Sequence, residues 1–289
     1  MGACALALAG FALAAEVPVA LGPEGPQPAT VTVNWGDTVA FTNADSEAHG
    51  IQIPRATVTS PDIPPSGTFL QVFDQAKGTF GFVQTGTKRR SGQIVVEVRG
   101  ELSLQAAPET VVFGKQAVLS GMSPYPNTPV VITYRRLASQ EQTALPTVTA
   151  AEDGAYATSF PPQFSSRLQA SAAAGQLRSG VATVKVAPLL TIAARPQVQN
   201  TGRTVTVTGQ IAPADAAKTV ELLRYNAKRE TWERVDTEPV SRSGAVTFRW
   251  KAEKGRSLLR LGVGRADLQL SYEPARSRWV AVKGIEPPR

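Results

Sequence analysis

The chain has 289 residues, long enough for two or three domains with separate cores, and carries 30 basic against 23 acidic side chains for a formal charge of +7. It holds one histidine, His49, and one cysteine, Cys4. That inventory excludes centres built from several imidazoles or thiolates, and it limits any Ser-His-Asp site to one place and any cysteine nucleophile to another. The charge is uneven: residues 16–99 sum to −2, residues 100–187 to +1 and residues 188–289 to +8, so the last third supplies the basic character and is the part able to attract an anionic partner.

Residues 1–15 read MGACALALAGFALAA, an apolar run ending in small residues, and are expected to be a secretory signal peptide. The basic stretch that normally opens such a leader is missing, so its true start is expected upstream. Fifteen residues are too short to span a bilayer, so the mature chain is expected to carry no transmembrane segment. Cleavage would also remove Cys4, leaving no disulfide, no thiolate ligand and no thiol nucleophile. The expected location is secreted or extracytoplasmic, in the cell envelope or outside it, in the manner of a bacterial surface protein.

Beyond the leader almost nothing has helical period. Short runs alternate apolar and polar residues, and Gly, Pro, Asn and Asp punctuate them, as in antiparallel sandwiches. The clearest strands are Thr30–Asn34, Thr38–Thr42, Gln93–Val98, Ala117–Ser120, Val130–Arg135, Ala182–Val186, Thr204–Thr208 and Thr219–Tyr225. An internal repeat lies in the second and third parts. LSLQAAPETVVFGKQAVLSG starts at Leu102 and LTIAARPQVQNTGRTVTVTG at Leu190; Pro108 answers Pro196, Gly114 answers Gly202 and Gly121 answers Gly209 without a gap. A repeat of this length is a whole domain, not a solenoid unit. The expected division is 1–15 leader, 16–99 first domain, 100–187 second and 188–289 third, with linkers of a residue or two giving a semi-rigid rod.

The first domain resembles a cupredoxin of the plastocyanin and amicyanin kind. VTVNWGDTVAFTNADSEAH matches that family's strand, Gly-Asp turn, strand, Asn-x-Asp loop and histidine, and IPPSGTFLQVFDQAKGTFGF matches its turn and aromatic strands. The resemblance puts His49 at a copper-ligand position. The Cys, His and Met that should follow on the ligand loop are instead Gln84, Thr87 and Arg90. A blue-copper site needs two imidazoles and a thiolate, so three ligand positions are vacated, and no copper or other cofactor is expected. The candidate binding loop is His49 with Gln84, Thr87, Lys88, Arg89 and Arg90, where Lys88-Arg89-Arg90 could meet an anion. A metal held by His49 with Asp45 or Glu47 is the alternative use of that end.

The repeat resembles bacterial immunoglobulin-like or fibronectin-III-like surface domains. AAEDGAYATSF (150–160) reads as a strand–turn–strand with positive φ angles at Asp153-Gly154, and Ser241–Gly244 as its counterpart. Glu152 and Asp153 alone cannot supply calcium's six to eight oxygens. Trp232, Trp250 and Trp279 are expected in the core, with Phe248 and Trp250 on one side of a strand. Gly262-x-Gly264 lacks the third glycine of a dinucleotide loop, no basic run interleaved with aromatics marks a nucleic-acid module, and no hydrolase or phosphate-binding motif appears. The expected class is therefore all-β: a cupredoxin-like Greek key followed by two immunoglobulin-like sandwiches. The expected role is non-catalytic binding, with the basic third domain as a second contact surface. An anionic envelope polymer or another envelope protein is the candidate partner. Copper-dependent electron transfer, and a carbohydrate- or wall-polymer-binding module, are the rivals.

Overall fold

The computed structural model describes residues 14–74, 77–86 and 88–286. Most of the expected leader, Cys4 included, and Thr87 lie outside the described residues. The chain is all-β: its strands form two-sheet sandwiches in three successive sets. Among the described residues no helix is long and apolar enough to cross a membrane.

The first set comprises β1 (Glu16–Gly22), β2 (Gly25–Gln27), β3 (Thr30–Asn34), β4 (Thr38–Asn43), β5 (Gly50–Ile53), β6 (Val58–Thr59), β7 (Thr68–Val72), β8 (Gly78–Thr85) and β9 (Arg90–Glu97). One sheet runs β2-β1-β4-β7 and the other β3-β9-β8-β5-β6. β1 lies parallel to β4, and β3 parallel to β9. Alternation dictates what is buried: in β3 Val31 and Val33 point inward while Thr30 and Thr32 face solvent. The two sheets close on an aromatic core in which Phe41 meets Phe82 edge-on at 5.3 Å and Phe73 meets Phe80 at 6.1 Å. Between β3 and β4 the chain reverses over Asn34–Asp37, closed by a bond from Asp37 N to Asn34 O at 3.0 Å.

The second and third sets share one plan. In the second, Gln105–Ala107, Ala117–Met122 and Ala155–Phe160 form one sheet; Thr110–Val112, Ala182–Ala187, Ser166–Ala172, Pro129–Arg136 and Thr143–Ala144 form the other. In the third, Leu189–Arg195, Thr204–Ala212 and Ala245–Lys251 face a sheet ordered Val198–Asn200, Ala275–Ile285, Gly255–Val263, Thr219–Asn226 and Thr231–Pro239. In each, a short strand lies parallel to the last strand. The repeat's prolines sit where the chain leaves one sheet for the other, a place that needs no ladder donor. Its paired glycines, Gly114 and Gly202, have φ of +83° and +82°, which a side chain would strain.

Asp153-Gly154 and Ser241–Gly244 are the same turn. Gly154 N bonds Ala151 O, Gly244 N bonds Ser241 O, and both precede a strand. Of the pair Asp153-Gly154 only the glycine has positive φ; Asp153 instead accepts from Ala155 N at 2.9 Å, so the expectation of two positive angles is corrected. Val148–Thr149 pairs elsewhere, so residues 150–154 are a turn and not the first arm of a hairpin.

Contacts join the sets. Trp35 meets Tyr125 edge-on at 5.2 Å, and Arg99 N donates to Tyr125 Oη. Between second and third, Ser165 N bonds Ser271 O, Arg136 Nε bonds Ser271 Oγ, and the buried Tyr272 donates to Gln163 O.

Candidate functional site

Asn43, at the end of β4 and 1 % exposed, organises the loop that presents the histidine. Its Nδ2 donates to Glu47 O at 2.7 Å and Ile63 O at 2.8 Å, while its Oδ1 accepts from Asp45 N. That fixes residues 44–48 and delivers His49, 4 % exposed, onto a two-way backbone bridge with Ile63. The His49 ring spans two oxygens: Nε2 lies 3.0 Å from Asp45 Oδ2, and Nδ1 lies 3.2 Å from Thr85 O. A neutral ring carries one N–H, so the tautomer decides which of the two contacts is the donated bond. Hydrogen bonds from His49, and after it from Ser46 N, hold the Asp45 carboxyl below its ordinary value.

Gly86 closes this arrangement. With φ at +141°, its backbone passes so near that a Cβ there would stand 2.6 Å from His49 Nδ1. Gln84 is 1 % exposed and turns its amide nitrogen to Gly22 O at 2.9 Å, leaving its oxygen without a partner. Arg90 opens β9 opposite Gln84, and its stem lies over Gly25. Lys88 and Arg89 are exposed.

The residues present do not fit copper: both nitrogens of the only imidazole are engaged, one is covered by backbone, and the side chain of Gln84 beside it offers a carboxamide and no soft thiolate. Among the described residues no cluster of three potential metal-ligating side chains forms. A cleft of about 220 Å³ brings together His49, Gln84 and Lys88 with Glu24, Asp45 and Glu47. Arg89 and Arg90 do not line it, and three carboxylates do, which sets its charge against an anionic ligand.

The third domain carries a different surface. Cross-strand pairing puts Arg260 opposite Trp279 and Leu223, Arg256 opposite Lys283, and Tyr225 opposite Trp232. All of these side chains leave the outer face of the five-stranded sheet, because the core takes the alternate positions Leu259, Leu261 and Val282. Arg260 lies 3.9 Å over the Trp232 ring, Arg256 lies 5.7 Å over Trp279, and Tyr225 meets Trp232 at 5.4 Å. Burial, then the neighbouring Arg276, pulls the Arg260 pKa below its ordinary value. Among the described residues no carboxylate pairs with Arg256, Arg260, Arg276 or Lys283, whereas Arg234 is tied to Glu221 at 3.2 Å. Next to this face, at the junction with the second domain, an apolar cleft of about 660 Å³ is lined by Leu189, Ile192, Pro274, Arg276, Trp279 and others.

Phe248 and Trp250 are core, as their shared parity implies. Trp279 is not: it is 54 % exposed, and Trp232 is half-buried on the outer face, so the core placement expected for both is corrected. Arg256 and Arg260 share one parity along Gly255–Val263, but the aromatic side chains they meet lie on other strands, so no local sequence signal marks this surface.

No family model matches the chain, and no curated protein matches it. Among solved structures, a purple cupredoxin from Nitrosopumilus maritimus is similar at 21 % identity, covering 28 % of this chain and 99 % of that one, with a TM-score of 0.24. The polymeric Ig receptor ectodomain of a teleost fish is similar at 9 % identity over 64 % of this chain and 100 % of that one, TM-score 0.25. The chicken CNTN1 FN1–FN3 domains are similar at 12 % over 82 % and 88 %, TM-score 0.21. At scores this low the likenesses assign no function.

Proposed function

We propose that this is an exported, non-catalytic, metal-free binding protein of the cell envelope or extracellular space, whose first domain is a cupredoxin-like scaffold put to use without copper. Its ligand is an anionic polysaccharide or comparable acidic envelope polymer, held by the third domain. The observation that carries this is the outer sheet face, where aromatic rings alternate with the guanidinium groups of Arg256 and Arg260, with which no carboxylate among the described residues pairs. Exposed indole stacks on the apolar face of a sugar ring, and arginine forks carboxylate, sulfate or phosphate. The non-catalytic half is supported by the burial of His49 and by the Gly86 backbone that stands close against its Nδ1 and keeps a substrate from that nitrogen.

Affinity electrophoresis in polygalacturonate and in dextran, at low and high salt, tests this. Retardation by the acidic polymer alone, weakened by salt and lost in Trp279→Ala, is expected. No retardation at low salt, equal retardation by dextran, or preferential binding of single-stranded DNA overturns the ligand assignment.

A further inference from the structure

Asp37 is a carboxylate that the binding reading does not use. It is 3 % exposed, and no lysine, arginine or histidine among the described residues pairs with it. It accepts two backbone bonds, from Asn34 N to Oδ2 at 2.7 Å and from Ala15 N to Oδ1 at 2.8 Å. A buried carboxylate with no counter-charge is costly, and two amides offset only part of that cost.

The nitrogen of Ala15 is placed by the sheet. Thr38 N donates to Ala15 O at 2.9 Å, and from Glu16 onward β1 pairs with β4. The sequence meanwhile offers Ala12-Leu13-Ala14, small residues three before and one before the Ala14–Ala15 bond. A cut one residue later would put Leu13 at the outer small position. It would also remove the nitrogen that Asp37 uses and the carbonyl that Thr38 uses.

We propose that export processing hydrolyses the Ala14–Ala15 bond and that the resulting α-ammonium of Ala15 locks onto Asp37. One water is consumed, a carboxylate remains on the leader at Ala14, and the amide N–H at Asp37 becomes a cationic group with three donors. The first domain thus gains a partly buried ion pair only after processing. The processing half rests on the proposed export; the lock half does not.

Two experiments separate them. The full chain is expressed in a secreting bacterium and its intact mass read: a mature chain beginning at Ala15 is expected, and a start at Glu16 or later, or an uncut leader, overturns the processing site. Independently, the chain is prepared from a cleavable fusion with Ala15 first, and again with Gly-Ser ahead of Ala15, each with Asp37 and with Asp37→Asn. The Ala15-first form is expected to melt several degrees higher, a gain absent from the extended form and from both Asp37→Asn forms. Its α-amine is expected to acylate about tenfold more slowly at neutral pH than that of the extended form, a readout that holds if Asp37→Asn fails to fold. Equal melting and equal acylation overturn the lock.

Discussion

Tyr156 offers a test of the packing in the second domain. Its side chain is 4 % exposed, its hydroxyl donates to Ser103 O across the sheet, and burial pushes its pKa from 10.0 to about 12. Because the folded pKa is raised, the unfolded chain ionises first. The stabilisation is fully present below pH 10 and is lost as pH climbs from 10 through 12. Two pH units correspond to about 2.7 kcal/mol at 1.36 kcal/mol each. The hydroxyl end borders an open groove beside Gly121 and Met122, and solvent screening there trims the figure to about 1–2 kcal/mol. Tyr156→Phe removes one hydrogen bond, costing about 0.5–1.5 kcal/mol at pH 8, and removes this alkaline sensitivity. Urea unfolding at pH 8 and pH 11, followed by far-ultraviolet circular dichroism, measures both effects. Tyr125 and Tyr272, also raised mainly by burial, titrate in both proteins and cancel from the difference. Equal losses from pH 8 to pH 11 in the two proteins, or an absorbance titration in which all five tyrosines ionise together near pH 10, would refute the reasoning.

Other outcomes follow from the same geometry. Gly86→Ala forces a methyl against His49 Nδ1 at a strained φ, so the first domain loses about 1–3 kcal/mol and the single imidazole proton resonance shifts; an unmoved resonance in a stable variant sinks that account. Equilibrium dialysis against copper leaves the chain colourless and that resonance unperturbed, whereas stoichiometric tight copper would end the metal-free reading. Phe82→Ala empties a site packed on Phe41 and beneath Gly92, and costs the first domain about 3–5 kcal/mol in thermal unfolding while polymer retardation persists.

Each of the eight strands read from alternation is present, with ends shifted by a few residues at most: Thr30–Asn34 is unchanged, while Gln93–Val98 becomes Arg90–Glu97. Alternation was sufficient because each strand has one wet face. The repeat was legible through Pro108 and Gly114 because backbone shape at those positions admits few residue types. The contact face of the third domain was not. Its members come from four strands separated by up to 58 positions, from Tyr225 to Lys283, and meet only through register. No run of basic and aromatic residues exists along the chain to announce it.

At the histidine end the division is similar. Composition alone determined that a single imidazole could serve there, and that the one cysteine, Cys4, stands far from it along the chain, since ligand chemistry depends on residue type before position. Folding decided what that imidazole does: Asn43 shapes its loop, and Asp45 and Thr85 take its two nitrogens. Folding also brought Glu24 to the cleft beside Asp45 and Glu47, left Arg89 and Arg90 out of it, and set Ala15 beside Asp37 across 22 residues. Sequence fixes which groups exist and which face of a strand each takes; hydrogen bonds and charges act over a few ångströms, so only the packed chain decides which groups become partners.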